Sequence, residues 1–187
     1  MVVGVTGNYC SGKGVACRVF EEYGYRIIDV DRLGHEALEV KKNEVIQAFG
    51  KGIIGGDGID RKKLGRIVFK DPEERKKLET IVHPYMIKRV RSMLEEKTVI
   101  NAALLIEMCL FVLCDFVLAI ETRDEISIER GVLRDGITKE EAAERLKAQI
   151  PIKEKLQYVD KIVENNGSIE EFKKRVRLII EDLELGS

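Results

Sequence analysis

Short apolar runs and amphipathic stretches alternate along the 187 residues of this chain. Apolar runs that suit buried strands cover residues 1–5, 25–28, 98–104, 116–120 and 161–163. Stretches with the i, i+3, i+4 spacing of amphipathic helices separate these runs. This alternation predicts an α/β fold with a doubly wound, mainly parallel five-stranded sheet that helices cover on both faces.

Two helical insertions interrupt the alternation. The first covers about residues 32–96, with helical patterns at 32–40, 43–49, 61–69 and 72–96 around a turn-rich stretch at 50–58. The second covers about residues 123–150, with helical patterns at 123–133 and 138–150. No repeat or low-complexity linker divides the chain, so we expect residues 1–187 to form a single domain. The first insertion is expected to form a lobe that folds over a substrate, and the second is a candidate lid.

Four residues are predicted to cap helices. A helical stretch directly follows Asp60, Asp71 and Ser168, and the stretch after Asp71 begins with a proline. Thr138 stands three residues before Glu141, which is the spacing of a capping box. These residues predict where the helices begin.

The charge balance excludes several classes of function. The chain has 32 basic and 33 acidic residues and a formal net charge of −1, so no overall basic field favours nucleic-acid or membrane-surface binding. No apolar stretch approaches the length of a membrane span, and the short N-terminal run lacks a basic leader and a cleavage site. We therefore expect a cytoplasmic protein with no nucleic-acid or membrane partner, and the oligomeric state stays open.

The cysteines do not predict a zinc site. The four of them form no Cys-x-x-Cys pair, and the chain has only two histidines, so reduced thiols are expected. Cys10 is a special case, because a helix N-terminus and Lys13 would lower the pKa of its thiol. One hypothesis is that oxidation of Cys10 blocks nucleotide binding.

A glycine-rich segment follows the first predicted strand. It reads Gly7-Asn8-Tyr9-Cys10-Ser11-Gly12-Lys13-Gly14, and a helical pattern follows it. Glycines at both ends let backbone N–H groups curl around a phosphate, the helix N-terminus points to the same place, and Lys13 neutralises the outer phosphates. The segment therefore predicts a phosphate loop for a nucleoside triphosphate. The alternative is a glycine-rich turn that binds nothing.

Gly14 is the exception within this phosphate loop. Loops of this pattern carry Ser or Thr after the lysine, and that hydroxyl binds Mg²⁺. Gly14 has no side chain, so we assign no direct metal ligand. Mg²⁺ can instead be held by phosphate oxygens and water, with Asp31 or another carboxylate behind the water.

Asp31 is the candidate general base. The second predicted strand leads into Asp29 and Asp31, at the carboxyl edge of the sheet next to the phosphate loop. A carboxylate there can accept the proton of an acceptor hydroxyl. The alternative is that Asp31 caps a helix that begins at residue 32. Asp29 is the better candidate for capping or for supporting a metal.

Seven motifs in order resemble the dephospho-coenzyme A kinase family over about residues 3–181. They are the phosphate loop, Ile28-Asp29-Val30-Asp31, Gly56-Asp57-Gly58-Ile59-Asp60-Arg61, His83-Pro84, the predicted strand end Leu104-Leu105-Ile106-Glu107, Arg130 to Asp135, and Asn165-Asn166-Gly167. Each motif is weak alone, and their shared order carries the resemblance. The resemblance implies a P-loop kinase fold and ATP-dependent phosphorylation of the ribose 3′-hydroxyl of dephospho-coenzyme A.

The resemblance also implies roles for individual residues. The catalytic set is Lys13, Asp31 and Arg134, as phosphate clamp, base and lid arginine. The ATP-binding set is Asn8, Tyr9, Cys10, Ser11, Gly12, Lys13, Gly14, Val15, Arg130, Asn166 and Gly167. The acceptor-binding set is Asp31, His35, His83, Leu104 and Glu107. ATP and dephospho-coenzyme A are the implied partners, with Mg²⁺ as the cofactor.

Structural alternatives stay open for several of these residues. Arg130 and Arg134 can be surface arginines that pair with glutamates. Asn166 can belong to a plain turn, and His83 can be a packing residue at a helix break. Four positions depart from the family pattern: Gly14 and Val15 replace hydroxyl residues, His35 replaces an arginine, and Ala103 replaces a proline.

Three functional interpretations remain. The first is a kinase for dephospho-coenzyme A, and the second is a P-loop kinase for another small-molecule or nucleotide acceptor, which the phosphate loop does not distinguish. The third is a noncatalytic nucleotide-binding descendant of such a kinase, which the missing metal hydroxyl favours. The presence of Lys13, Asp31 and Arg134 together argues against the third interpretation.

Overall fold

The structure is a computed structural model in which residues 1–56 and 58–186 are described. Asp57, which belongs to the Gly56 to Arg61 motif, lies outside the described residues, as does residue 187. The chain divides into two compact units. The sheet unit comprises Met1–Asp29 and Leu94–Ser187, and the helical unit comprises Val30–Met93.

The helices and strands of the described residues follow the predicted alternation. The strands are β1 (Val2–Gly7), β2 (Arg26–Asp29), β3 (Ile54–Gly55), β4 (Gly58–Ile59), β5 (Thr98–Asn101), β6 (Phe116–Glu121) and β7 (Lys161–Glu164). The α-helices are α1 (Lys13–Glu22), α2 (Val30–Val40), α3 (Lys42–Phe49), α4 (Arg61–Val68), α5 (Pro72–Met93), α6 (Asp124–Asp135), α7 (Lys139–Lys147), α8 (Ile152–Lys155) and α9 (Ile169–Leu185). Short 3₁₀ turns cover Lys51–Ile53, Leu110–Leu113 and Leu156–Tyr158. No helix in the described part of the chain is long and apolar enough to cross a membrane.

Five strands of the sheet unit form one parallel sheet. Their order is β2-β5-β1-β6-β7, which confirms the predicted α/β class and the five-stranded parallel sheet. β1 lies at the centre, with Val5 paired to Asn101 of β5 and to Leu118 of β6. Because the strands are parallel, the carboxyl ends of β1, β5 and β6 meet at one edge, where such sheets bind ligands.

One face of the sheet packs against α1 and α9. Val3 and Val5 of β1 share a buried cluster with Phe20 of α1 and Phe172 of α9. Burial of a side chain of this size contributes about 1.5–3 kcal/mol. This packing fixes α1, so that its N-terminus stands at the end of β1.

The opposite face of β1 packs against the segment that follows β5. A Cβ at Gly4 would stand 2.8 Å from Leu105 Cδ2 and 2.9 Å from Cys114 Sγ, so this packing requires glycine. The strand predicted over residues 98–104 is therefore too long. β5 ends at Asn101, and residues 103–109 form turns. Their apolar side chains resemble a strand in the sequence because they too are buried against the sheet.

The helical unit contains α2 to α5 and a short antiparallel hairpin of β3 and β4. α2 packs along α5, where Glu36 accepts hydrogen bonds from the Tyr85 hydroxyl and from Arg89 Nε. The hairpin lies inside the stretch predicted to be rich in turns. Strands of two residues are too short to produce an alternating pattern, so the sequence did not reveal them.

The four predicted helix caps are confirmed. Asp60 and Asp71 accept backbone N–H groups in the first turns of α4 and α5. Thr138 and Ser168 each form a complete capping box at the start of α7 and α9. Local side-chain chemistry therefore sets these helix starts.

α5 runs unbroken through Pro84, so the alternative of a helix break beside His83 is wrong. A proline inside a helix removes one backbone hydrogen bond. The buried side chains Val82, Met86 and Val90 lie on both sides of the proline and hold the helix in place.

Candidate functional site

The phosphate loop joins β1 to α1 and takes its shape from two glycines. Gly7 and Gly12 adopt φ angles of 151° and 105°. A Cβ at Gly7 would stand 2.5 Å from the Ile120 carbonyl oxygen, and one at Gly12 would stand 2.2 Å from Asn165 Nδ2. Both positions require glycine, because the loop lies directly against β6 and against the residue that follows β7.

Lys13 begins α1 and folds its side chain back over the phosphate loop. Its Nζ donates hydrogen bonds to the carbonyl oxygens of Gly7 at 2.9 Å and Asn8 at 3.2 Å. The N-terminus of α1, the positive end of its helix dipole, directly follows the same loop. Backbone dipoles and the ammonium group therefore concentrate positive charge there, as phosphate binding requires.

The backbone carbonyl of Ser11 anchors the phosphate loop to two strands. It accepts hydrogen bonds from Asn165 Nδ2 at 2.8 Å and from Thr122 Oγ1 at 3.1 Å. Asn165 follows β7 and Thr122 follows β6, and both Ser11 and Asn165 are buried. The sequence alone gives Asn165 and Thr122 no such role, because the carbonyl that they hold is far away in the chain.

Tyr9 connects the phosphate loop to α6 and α7, the two helices of the candidate lid. Its hydroxyl donates to Asp135 Oδ2 at 2.5 Å, and its backbone N–H donates to Gln149 Oε1 at 2.7 Å. Its ring lies against Gly131 of α6, and apolar side chains of α7 complete the cluster around it. The Tyr9 side chain therefore packs with the lid, and its predicted contact with ATP stays a prediction.

Asp135 binds two arginines beside Tyr9. Arg134 Nε donates to Asp135 Oδ1 and Arg145 Nη1 donates to Oδ2, both at 2.7 Å. The hydrogen bond from Arg134 is the main cause that lowers the pKa of Asp135 to about 2, and the Tyr9 hydroxyl adds to it. Burial and the hydrogen bond to Asp135 raise the pKa of Tyr9. At neutral pH an ionised carboxylate thus holds two guanidinium groups beside the loop.

The two candidate lid arginines differ in burial. The Arg134 side chain is 61% exposed, and its guanidinium carbon lies 5.3 Å from the centre of the Tyr9 ring. Nη1 of Arg130 is buried and has no hydrogen-bond partner among the described residues. Because buried donors are normally paired, Arg130 offers this N–H to a ligand or to water. The two arginines are four residues apart on α6 and so share one face.

A cavity of about 680 Å³ lies at the carboxyl ends of β6 and β7. Its lining includes Asn8 of the phosphate loop, Ile128 of α6, Pro151 and Asn166. Asn166 Oδ1 accepts a hydrogen bond from the backbone N–H of Arg123 at 2.9 Å, and Arg123 also lines the cavity. A volume of this size suits a small ligand such as a nucleoside. Asn166 and the phosphate loop thus line the same cavity. Gly167, the next residue along the chain, does not line it.

The prediction of a low pKa for the Cys10 thiol is wrong. Cys10 is half-buried and has a left-handed φ of 55°. Burial raises the pKa of this thiol and outweighs the opposite effects of Arg134 and Lys13. The sequence shows the positive charges near the sulfur but not its loss of contact with water.

Gly14 leaves open space where phosphate loops commonly carry a hydroxyl. A Cβ at Gly14 would meet no atom within 4 Å beyond its own helix and chain neighbours. Within residues 1–56 and 58–186, no group of three His, Cys, Asp or Glu side chains could hold a metal ion. Gly14 is exposed, so a side chain at this position would not clash with the described residues.

Glu107 forms an ion pair with a buried lysine, which the sequence did not reveal. Lys155 of α8 is fully buried, and its Nζ lies 3.1 Å from Glu107 Oε1 and 2.9 Å from the Ala103 carbonyl oxygen. The backbone N–H of Ile150 donates to Glu107 Oε1 at 3.4 Å. Leu104, the other acceptor candidate of this segment, is half-buried. A lysine in a charged stretch after the lid gives no sign in the sequence that it is buried.

The remaining acceptor candidates lie in the helical unit. Asp31 is in the first turn of α2, which begins at Val30, so the alternative that Asp31 caps a helix beginning at residue 32 is wrong. Asp29 immediately precedes this helix. His35 follows one turn later on α2, and His83 lines a shallow depression of about 310 Å³ on α5.

A family model, curated relatives and one solved structure indicate the same family. The family model described as "Dephospho-CoA kinase" matches residues 1–171. A dephospho-CoA kinase of Aquifex aeolicus is 38% identical, with 97% of this chain and 96% of the relative covered. That of Carboxydothermus hydrogenoformans is 35% identical, with 96% and 93% covered. The solved dephospho-CoA kinase from Campylobacter jejuni has a TM-score of 0.72 and 28% identity, with 99% of this chain and 98% of that chain covered.

Proposed function

The chain belongs to the dephospho-CoA kinase family, and we propose a role for each part of its site in the transfer of a phosphoryl group from ATP to dephospho-CoA. In this reaction the ribose 3′-hydroxyl of dephospho-CoA attacks the γ-phosphorus of ATP, and CoA and ADP are the products. The protein has to align the reacting atoms and neutralise the charge of the transferring group. The observation that carries the proposal is a phosphate loop that is anchored at Ser11 and holds an arginine-bearing lid through Tyr9.

The phosphate loop is proposed to bind the triphosphate of ATP. Backbone N–H groups between Gly7 and Gly14 and the N-terminus of α1 face the phosphate oxygens. In this structure Lys13 donates hydrogen bonds to the carbonyl oxygens of Gly7 and Asn8. When ATP binds, it donates to β- and γ-phosphate oxygens instead. The hydrogen bonds to the Ser11 carbonyl hold the loop in the conformation that binds phosphate, so little conformational entropy is lost when ATP binds.

Mg²⁺ is the proposed cofactor, and when bound it would neutralise charge on the terminal phosphates. Gly14 offers no side-chain ligand to it. The open space beside Gly14 accommodates water, so this chain would hold the ion through phosphate oxygens and water molecules. Asp31, proposed from the sequence, is the candidate carboxylate behind those water molecules.

The cavity at the ends of β6 and β7 is the proposed site of the adenine and ribose of ATP. Ile128 and Pro151 offer apolar contacts to a base, and the Asn166 amide and backbone groups after β7 offer hydrogen bonds. Asn8 lines the same cavity and belongs to the phosphate loop, so a nucleotide can extend from the cavity to Lys13. Gly167 is also proposed to lie beside the adenine base.

Arg134 and Arg130 are proposed to neutralise the transferring phosphoryl group. Asp135 and the Tyr9 ring hold Arg134 beside the phosphate loop, and Arg130 has a buried N–H that still needs a partner. Arginines that contact a transferring phosphoryl group contribute about 10³–10⁵-fold to kcat. We therefore expect Arg134→Ala to lower kcat by orders of magnitude.

The acceptor side of the site rests on the sequence resemblance. Asp31 is proposed to accept the proton of the ribose 3′-hydroxyl. His35, His83, Leu104 and Glu107 are proposed to contact dephospho-CoA. The cytoplasmic location and the lack of nucleic-acid or membrane partners also stay predictions from the sequence.

Steady-state kinetics of three variants tests these roles. Lys13→Met is expected to lower both ATP affinity and kcat, whereas Asp31→Asn is expected to lower kcat with little change in KM for either substrate. Arg134→Ala is expected to act mainly on kcat. Arg177→Ala is the control, because Arg177 pairs with Glu22 on α9 and α1 away from the loop. Near-normal turnover of Asp31→Asn or Arg134→Ala would remove that residue from the mechanism.

A further inference from the structure

Lys155 is the only charged residue among the described ones that is buried. A buried ammonium group needs a counter-ion, because transfer of an unpaired charge out of water costs several kcal/mol. Glu107 supplies that counter-ion at 3.1 Å. Replacing a buried ion pair by apolar side chains is often neutral for stability or favourable, so stability alone does not account for this pair.

The two oxygens of Glu107 have different surroundings. Oε1 accepts from Lys155 Nζ and from the backbone N–H of Ile150. Oε2 is buried and has no hydrogen-bond partner among the described residues. A buried oxygen of an ionised carboxylate needs a donor, since leaving it unpaired costs the full desolvation penalty. Oε2 therefore faces a ligand or a water molecule.

The pair lies at the ligand-binding edge of the sheet. Glu107 belongs to the turns that follow β5, whose neighbour β1 leads into the phosphate loop. Lys155 Nζ also donates to the carbonyl of Ala103, where the Thr6 hydroxyl donates as well at 3.5 Å. Lys155 thus holds Ala103, where these turns begin, and the Glu107 carboxylate within them. α8, which carries Lys155, follows the lid, so the end of the lid and these turns share one anchor.

The charge of Glu107 restricts the ligand that Oε2 can take. A carboxylate repels phosphate oxygens and accepts hydrogen bonds from hydroxyl or N–H groups. The triphosphate of ATP does not fit this requirement, and Glu107 does not line the cavity proposed for the adenine and ribose of ATP. A donor group of the acceptor molecule fits it.

We propose that Lys155 is a positioning residue for acceptor binding. It fixes Glu107 so that Oε2 accepts a hydrogen bond from a hydroxyl or N–H group of bound dephospho-CoA. This inference rests on the proposed function of the site. Lys155 itself touches no substrate and acts through the carboxylate that it holds.

The test compares Lys155→Met, Glu107→Leu and the double variant with the native chain. Each single variant leaves one buried charge unpaired and is expected to unfold at a lower temperature. The double variant leaves neither charge, so it is expected to recover most of the lost thermal stability. Its Kd for dephospho-CoA, measured by calorimetry, is expected to rise about 10- to 100-fold, because a hydrogen bond to a charged group is lost. Its Kd for ATP is expected to stay within about twofold of the native value.

Two further variants keep the result decisive. Lys161→Met makes the same chemical change in an exposed pair with Asp182, where the side chains are 49% and 72% exposed, and should alter neither Kd. Glu107→Gln keeps the size of the side chain and serves if the double variant does not fold. It should weaken dephospho-CoA binding more than ATP binding.

The outcomes separate this inference from the proposed function. A double variant that recovers stability and binds dephospho-CoA like the native chain would overturn the inference. It would mean that Glu107 Oε2 binds a water molecule and not dephospho-CoA. An equal loss of affinity for ATP and dephospho-CoA would also overturn it. A native chain that binds dephospho-CoA but releases no ADP would contradict the proposed function. The Kd values of the double variant for ATP and dephospho-CoA would still decide the role of the Lys155–Glu107 pair.

Discussion

The ring of Tyr9 lies so close to Gly131 that a Cβ on residue 131 would stand 2.4 Å from Tyr9 Cε1. Tyr9 belongs to the phosphate loop and Gly131 to the lid helix α6. The lack of a side chain at residue 131 lets the two segments meet, and the hydrogen bond from the Tyr9 hydroxyl to Asp135 then holds the ring. The phosphate loop and α6, the first helix of the candidate lid, are therefore packed against each other.

Gly131→Ala is expected to push the Tyr9 ring away from α6. The forced shift should lower the free energy of unfolding by about 1–3 kcal/mol, the usual effect of overpacking. It should also raise KM for ATP, because the ring and Arg134 move together. Urea unfolding and initial-rate kinetics measure the two effects.

Two further variants control the Gly131 experiment. Gly52→Ala introduces the same methyl group where no atom lies within 4 Å, so it should leave both measurements unchanged. In a Tyr9→Ala background the Gly131→Ala change should have almost no effect, because the ring that it meets is absent. An equal loss of stability in both backgrounds would show that Tyr9 is not the neighbour that requires glycine.

Asp135 is expected to make the stability of the lid depend on pH. Its pKa is lowered to about 2 in the folded chain, mainly by Arg134, compared with about 3.9 in an unfolded chain. A carboxylate with a lowered pKa stabilises the fold at pH values above the unfolded pKa, and this contribution is lost as the pH falls from about 4 to about 2.

The measurement for Asp135 is urea unfolding of the native chain and of Asp135→Asn at several pH values. The variant should be less stable at pH 6, and the difference between the two chains should shrink as the pH falls below about 4. Asp182→Asn, in an exposed ion pair, should change the free energy of unfolding by less than about 1 kcal/mol. A difference for Asp135→Asn that is constant with pH would mean that its charge does not stabilise the fold.

The cysteines are expected to differ in their reactivity at neutral pH. Cys109 is exposed, whereas burial raises the pKa of Cys17 and Cys114 to about 12 and also raises the pKa of Cys10. Iodoacetamide should therefore label Cys109 first, because thiolates are the reactive species and Cys109 is accessible. Peptide mass spectrometry after short pulses follows the labelling. Labelling of Cys10 at the rate of Cys109 would support the low pKa that the sequence suggested.

Gly14→Ser is expected to tighten magnesium binding. The open space at residue 14 accepts a side chain without a clash, and a serine hydroxyl there adds one direct ligand. The Mg²⁺ concentration for half-maximal rate should fall by about fivefold, which corresponds to about 1 kcal/mol. Gly14→Ala fills the same space without an oxygen and should not produce this shift. Binding of Mn²⁺ to the ADP complex gives a second readout, and an unchanged midpoint in both assays would contradict the prediction.

The sequence predicted the features that depend on neighbouring residues. The five-stranded parallel sheet and the helix caps are encoded by local periodicity and by capping residues, and the structure confirms them. β5 was predicted too long because Leu105 is buried on the face of the sheet, and buried apolar residues outside a strand resemble those within it.

The features that the sequence did not reveal depend on contacts between distant parts of the chain. Asn165 gains its role from the Ser11 carbonyl, and Lys155 gains its burial from Glu107 and Ala103. Neither residue type indicates such a contact by itself. The error at Cys10 has a related cause, because charges near a residue can be read from the sequence but burial of its side chain cannot.

The most direct test of the account is a coupled ADP-release assay with ATP, Mg²⁺ and dephospho-CoA, in which mass spectrometry identifies the product. We expect the native chain to release one ADP for each CoA formed and to release almost none when dephospho-CoA is left out. ATP binding without acceptor-dependent ADP release, or release with a different small-molecule acceptor and not with dephospho-CoA, would contradict the account.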